Sequence, residues 1–205
     1  AIQRVFNVTH QMLPYAKRQR RTTVLDGAIL GNLFFEPSTR TRVSFGTAFN
    51  LLGGEVRETT GLSNSALAKG ESLYDTARVL SGYSDIIAMR HPDSGSVAEF
   101  AEGSRIPVIN GGDGANEHPT QALLDLYTIQ KELLDHGSSI DGMHIAMIGD
   151  LKYGRTCLLY ISDAADDLLF VVLVDRRIIT KSIAISHHLS FIYTLLLPSA
   201  YIATH

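Results

Sequence analysis

Ser38, Thr39, Arg40 and Thr41 place four donor side chains in a row, hydroxyls and a guanidinium, and a second guanidinium follows at Arg42. Arginine presents a planar fork of N–H groups that matches the oxygens of a phosphate. The flanking residues predict where this stretch sits. Ala28 to Phe35 is an apolar run that reads as a buried strand. Val43, Phe45, Phe49 and Leu52 fall toward one side of a helix that Gly53-Gly54 would stop. Pro37 cannot continue a sheet ladder, and Ser38 and Thr39 suit a helix N-cap. The open N–H groups of a helix start favour an anion by themselves. An ordinary cap with surface arginines is the plainer alternative, but these donors exceed what a cap needs.

Other polar groups stand at similar positions. Arg90-His91-Pro92 closes a strand read over Asp85 to Arg90. Arg90 could bridge a phosphate and a neighbouring carbonyl oxygen, or be a surface arginine. Glu117-His118-Pro119-Thr120-Gln121 opens a long helix, Pro119 to His136, with proline suited to its first turn. The imidazole of His118 could polarise a carbonyl, and Gln121 offers both a donor and an acceptor to an NH2–C=O group. A structural histidine is the alternative. Ser65 and Lys69 lie in a polar, small-residue loop, 61–69, and alone would read as solvated. Residues 149–156, Gly-Asp-Leu-Lys-Tyr-Gly-Arg-Thr, read equally as a second anion-binding turn containing Arg155 or as a plain turn. Gly112-Asp113-Gly114 lacks the dinucleotide-binding spacing and no Walker lysine is present, which argues against nucleotide binding.

The elements that carry these groups alternate. Residues 1–18 read as a helix with Ile2, Val5, Phe6, Leu13 and Ala16 as its buried side, kinked or ended at Pro14. Further strands are expected at Glu55–Thr59, Ile106–Asn110 and Met143–Ile148, and helices at Gly70–Gly82 and Gly95–Gly103. Gly111 to Gly114 reads as a turn. Short apolar strands alternating with helices predict an α/β fold, a parallel sheet with helices on both faces. Ligands of such sheets bind beyond the carboxyl ends of the strands, where Ser38 to Thr41, Arg90 and His118 all fall.

Composition sets broader bounds. The 205 residues are 45% hydrophobic and 19% charged, which suits a soluble globular core. A net charge of −3 gives no reason to expect a nucleic-acid partner. The single cysteine, Cys157, excludes an internal disulfide framework, fits a reducing cytoplasmic compartment and argues against a metal site. The first residues, with Arg4 in a mixed amphipathic segment, do not read as a signal peptide. Lys17 to Arg21 is a short basic cluster that suits a solvated helix end.

The motifs taken together resemble the aspartate branch of the aspartate/ornithine carbamoyltransferase family. The resemblance rests on PSTRTR at 37–42, SALAKGES at 65–72, MRHP at 89–92, HPTQALLDL at 118–126 and GDLKYGRT at 149–156. It covers residues 28–156. It implies that Ser38, Thr39, Arg40, Thr41 and Arg90 hold the phosphate of carbamoyl phosphate. Thr41, Arg90 and His118 would polarise the carbamoyl carbonyl, and Gln121 would bind the amine end. Ser65 and Lys69 would enter a neighbouring subunit's site, giving a homotrimer with shared sites and room for regulatory chains. Arg155 would hold a carboxylate of L-aspartate. The implied product is N-carbamoyl-L-aspartate, in pyrimidine synthesis, formed with no cofactor. A different amine acceptor, or a catalytically silent chain that binds carbamoyl phosphate or forms oligomers, are the alternatives.

The resemblance divides the chain into a carbamoyl-phosphate domain, 1–136, and the start of an aspartate domain, 137–205, that is incomplete or aberrant. After Thr156 the family pattern stops. Residues 157–205 contain no Gly, Glu, Gln or Asn, whereas all 17 glycines precede them. A truncated chain, a frame-shifted or misassigned tail, or a fragment of a longer protein would each account for this. Asp167 to Asp175 reads as a buried strand. Ser182 to Ala203 is uncharged and long enough to span a bilayer, but His187, His188, its hydroxyls and Pro198 argue against that and predict no membrane partner.

Overall fold

The structure, a computed structural model, describes residues 2–61 and 70–140 with their side chains and the backbone of three strands beyond them. Two compact units divide the chain at Ala1–Leu123 and Leu124–His205, a division that falls inside one helix. The first unit begins with α1 (Ile2–Ala16), then β1 (Ile29–Phe34), α2 (Thr39–Leu51), β2 (Glu55–Thr60), α3 (Leu73–Leu80), β3 (Ile86–His91), α4 (Ser96–Gly103) and β4 (Val108–Asp113). Helix α5 (Pro119–Asp135) follows, then β5 (Ile145–Gly149), β6 (Phe170–Val174) and β7 (Phe191–Thr194).

The first unit holds a four-stranded sheet in the order β2-β1-β3-β4 with every pairing parallel. The order follows from burial. Strand β1 is the most buried, from Leu30 through Phe34, and therefore lies inside the sheet with a neighbour on each edge. Strand β2 alternates with charged residues and takes an edge. The chain leaves β1 toward β2 but leaves β3 toward β4, in the opposite direction. Right-handed crossovers then require helices on opposite faces. Leu33, Phe35, Ile87 and Met89 point to the face of α3 and α4, in one core with Ala77, Val97 and Phe100. Phe34 and Asn32, the alternate residues of β1, face α2, where the Phe34 and Phe45 rings lie 6.4 Å apart and Asn32 Nδ2 donates to the Arg42 carbonyl at 3.0 Å.

Several local expectations are corrected. Of the residues expected on the buried side of α1, Phe6 is buried and Leu13 half-buried, while Ile2, Val5 and Ala16 are exposed. Helical periodicity places residues on a common face but does not say that anything covers that face. Helix α1 runs through Pro14 to Ala16, and the chain then reverses through Arg18 at φ 58°. Val43, expected on the apolar side of α2, is 49% exposed. Gly111, Gly112 and Asp113 belong to β4 rather than to a turn. Met89 registers with Asn110 but His91 with Asp113, so β4 holds one extra residue in a bulge at its glycines. A bulge lets a glycine run continue a strand that sequence alone would end there.

In the second unit β5 pairs in parallel with β6 on one side and β7 on the other. Strand β7 lies within the uncharged stretch 182–203. Among the described residues no helix is long and apolar enough to cross a membrane.

Candidate active site

Strands β1 and β3 are neighbours whose chains depart in opposite directions, so a crevice opens between their carboxyl ends. In parallel α/β sheets this switch point is where ligands bind. Ser38 takes the N-cap position of α2 in extended conformation, φ −158° and ψ 93°, yet its side chain makes no capping bond. Thr39, Arg40 and Thr41 form the first turn, with their N–H groups open at the positive end of the helix. Arg40 is exposed, and its side chain takes part in no hydrogen bond or ion pair with the described residues.

The second arginine of the motif is used differently. Arg42 is ion-paired through Nη1 to Glu58 Oε2 on β2. Glu58 Oε1 also accepts from Asn32 Nδ2 at 3.3 Å, and Asn32 is fully buried in β1. Two neighbouring strands thus grip the first turns of α2 through one carboxylate and one amide. Alternation along the helix sends Arg42 to the sheet and leaves Arg40 directed elsewhere.

Arg90, the last residue but one of β3, lies opposite Phe34 and is no surface arginine, since its side chain is 13% exposed. Its carbonyl accepts from the Phe35 N–H at 2.9 Å, and its Nη2 donates to Glu36 Oε1 at 2.9 Å. Its Nε is buried with no hydrogen-bond partner among the described residues. The guanidinium therefore bridges the two strand ends at the switch point and keeps a spare donor. His91, the next residue, points to the other face against the Phe35 ring, 5.7 Å between ring centres. Burial lowers its pKa below the ordinary value, against the opposing pull of Asp93, Asp113, Glu99 and Glu36.

His118 immediately precedes α5 and is buried. Its Nδ1 lies 3.4 Å from Thr120 Oγ1, and its carbonyl accepts from the Gln121 and Ala122 N–H groups. That turn also sets Gln121, half-buried, on the first turn of the helix. Ser38 to Thr41 and His118 with Gln121 thus follow the carboxyl ends of β1 and β4, and Arg90 lies at that of β3. Ser65, Lys69 and Arg155 lie outside the described residues, as does Cys157.

Sequence reading gave no role to Glu36 or Asp113. An acid directly before a cationic turn was the available signal for Glu36. For Asp113 it was an acid enclosed by glycines, whose meaning depends on where the bulge puts it.

The family model described as aspartate/ornithine carbamoyltransferase, carbamoyl-P binding domain, matches residues 1–131. An aspartate carbamoyltransferase catalytic subunit of Saccharophagus degradans is 79% identical over 155 residues, which are 76% of this chain and 46% of that protein. That of Methanocaldococcus jannaschii is 53% identical over 152 residues, 74% of this chain and 48% of the relative. The solved catalytic subunit of M. jannaschii aspartate transcarbamoylase superposes with a TM-score of 0.72 at 49% identity, covering 82% of this chain and 55% of that one. Aspartate transcarbamoylase from Trypanosoma cruzi, solved with carbamoyl phosphate and aspartate, gives 0.68 at 42% identity over 77% and 52% of the two chains. The chain spans about half the length of the relatives it matches.

Proposed function

The chain belongs to the aspartate/ornithine carbamoyltransferase family, and on that premise we propose that it binds carbamoyl phosphate and serves carbamoyl transfer to the amine of L-aspartate. The observation that carries the reading is the switch point between β1 and β3, with an open helix start carrying Arg40 after one strand and the Arg90 guanidinium, with its spare Nε donor, at the end of the other. In this reading Ser38, Thr39, Arg40 and Thr41 hold the phosphate, with Arg90 between phosphate and carbamoyl group. Thr41, Arg90 and His118 donate to the carbonyl oxygen, and Gln121 holds the amine end. Lys69 and Ser65 would come from a neighbouring subunit of a homotrimer, and Arg155 would hold a carboxylate of aspartate.

The chemistry asks for no enzyme nucleophile. The aspartate amine attacks the carbamoyl carbon and a C–N bond forms. The carbonyl electron pair moves to oxygen and returns as the C–O bond to phosphate breaks. The amine proton leaves with the phosphate. Holding both reactants in line can contribute about 7–11 kcal/mol of the barrier reduction. Donors aimed at the oxyanion act mostly in the transition state. We assign residues 1–136 to carbamoyl-phosphate binding and 137–205 to the start of an aspartate-binding part. The lone cysteine supports a cytoplasmic setting.

A second reading is binding of carbamoyl phosphate without turnover, since what the matching family model describes over residues 1–131 is a carbamoyl-P binding domain. Titrating the chain with carbamoyl phosphate in a calorimeter, then adding L-aspartate or L-ornithine and measuring phosphate release, separates the readings. Saturable binding with aspartate-dependent release supports the first, and binding with no release supports the second. No binding at any concentration rejects both.

A further inference from the structure

We propose that Asp113 is a positioning residue for His118, a carboxylate that fixes the β4–α5 turn by capping α4 from outside that helix. The inference rests on the function proposed above for the interpretation of His118 but on geometry for the coupling itself. Asp113 is 3% exposed at the end of β4. Helix α4 starts after Gly95, at φ 86°, which has no side chain to cap it. Asp113 supplies the missing acceptor. Its Oδ2 accepts from the Gly95 N–H at 2.9 Å, and its Oδ1 lies 3.5 Å from the Val97 N–H. The negative group therefore sits at the positive end of α4, the favoured place for a carboxylate withdrawn from water.

The same residue closes the turn that leads to His118. Its N–H donates to the Glu117 carbonyl at 2.9 Å, and its carbonyl accepts from the Asn116 N–H at 2.9 Å. Oδ2 also accepts from Asn116 Nδ2 at 3.3 Å. Gly114 ties the turn to β3 by donating to the His91 carbonyl at 2.8 Å. It sits at φ 57°, and a Cβ there would lie 2.6 Å from the Pro92 carbonyl oxygen, so the two loops touch at backbone distance. His118 comes directly after the residue whose carbonyl Asp113 engages. A change in how Asp113 sits must move either the α4 cap or the approach to His118. The β4 bulge makes the arrangement possible, because it carries Asp113 one residue further into register with His91.

The test compares the full chain with Asp113→Asn, Asp113→Ala and Phe6→Ala, the last a destabilising control in α1. Histidine side chains are isotope-labelled, the His118 ring signals are identified by their loss in His118→Gln, and carbamoyl-phosphate affinity is measured by calorimetry. Asp113→Ala is expected to displace or broaden the His118 ring signals and to weaken carbamoyl-phosphate binding by no more than His118→Gln does, since Asp113 acts on the ligand only through that histidine. Asp113→Asn, which keeps one acceptor, should show a smaller effect in the same direction. Should the alanine variant fail to fold, the asparagine variant against wild type decides alone. Unchanged His118 signals in a folded Asp113 variant overturn the proposal, as does an equal effect from Phe6→Ala. If wild type binds no carbamoyl phosphate, the functional reading fails while the ring signals still decide the coupling.

Discussion

Arg90 and Glu36, 54 residues apart in sequence, meet at 2.9 Å across the carboxyl ends of β3 and β1. Both are largely withdrawn from water, at 13% and 19% exposure. Removing one partner from such a pair leaves the other charge poorly compensated. Arg90→Ala should therefore destabilise the fold by about 2–3 kcal/mol, less than a fully buried pair would lose. Glu36→Gln should cost less, since an amide oxygen still accepts from the guanidinium. Urea unfolding of both single variants and the double variant measures the coupling; additive losses would mean that the pair contributes nothing.

Arg40 and Arg42 should behave oppositely. Arg40→Ala is expected to remove most carbamoyl-phosphate binding, roughly 1.5–3 kcal/mol for each charge-assisted bond, while the unfolding midpoint stays put. Arg42→Ala frees Glu58 from its ion pair and should lower the midpoint, with a smaller effect on affinity. Calorimetry and thermal unfolding on the same samples make the comparison. Equal affinity losses from the two variants would contradict the division of labour.

His118→Ala should slow turnover more than it weakens carbamoyl-phosphate binding. A donor to a developing oxyanion acts mainly in the transition state, and losing one costs roughly 3–4 kcal/mol. Steady-state rates beside calorimetric affinities test this. Parallel losses in rate and binding would mark the histidine as structural.

Lys69 should act in the site of a neighbouring chain. Mixing Lys69→Ala with Arg40→Ala subunits and allowing exchange then yields some sites with both residues intact, and lost activity returns. If the chain binds without turnover, recovered carbamoyl-phosphate binding is the readout. Verified exchange without recovery would put Lys69 in its own chain's site or in none.

The buried His91 should make stability fall with acid. Its folded pKa is lowered, mainly by burial, from the ordinary 6.5. In that range the unfolded chain binds more protons than the folded one, so stability rises with pH and falls as pH drops through 6.5 toward the depressed folded value. Denaturant midpoints measured from about pH 7 to about pH 5 should decline, and His91→Asn should flatten the decline. An unchanged slope in the variant would assign the acid sensitivity to other groups.

Local patterns in the chain are enough to show that strands and helices alternate and that a donor-rich turn, an arginine and a histidine lie at or beyond strand ends. Those features are local. An apolar run of six residues, a proline after it and hydroxyls at a helix start act on their immediate neighbours, so β1, α2 and the opening of α5 were legible. Tertiary structure decided which strands pair and what each charge meets. The order β2-β1-β3-β4 puts Arg90 beside Glu36 and Glu58 beneath Arg42, contacts spanning 54 and 16 residues that no local pattern encodes. It also decided that Gly111 and Gly112 form a bulge rather than a turn, because pairing with β3 supplies hydrogen bonds that a glycine run cannot specify alone. The apolar face of α1 marks the same boundary: periodicity set the residues in a stripe, but burial needs a covering surface, which buries Phe6 and half-covers Leu13 while Ile2, Val5 and Ala16 stay exposed.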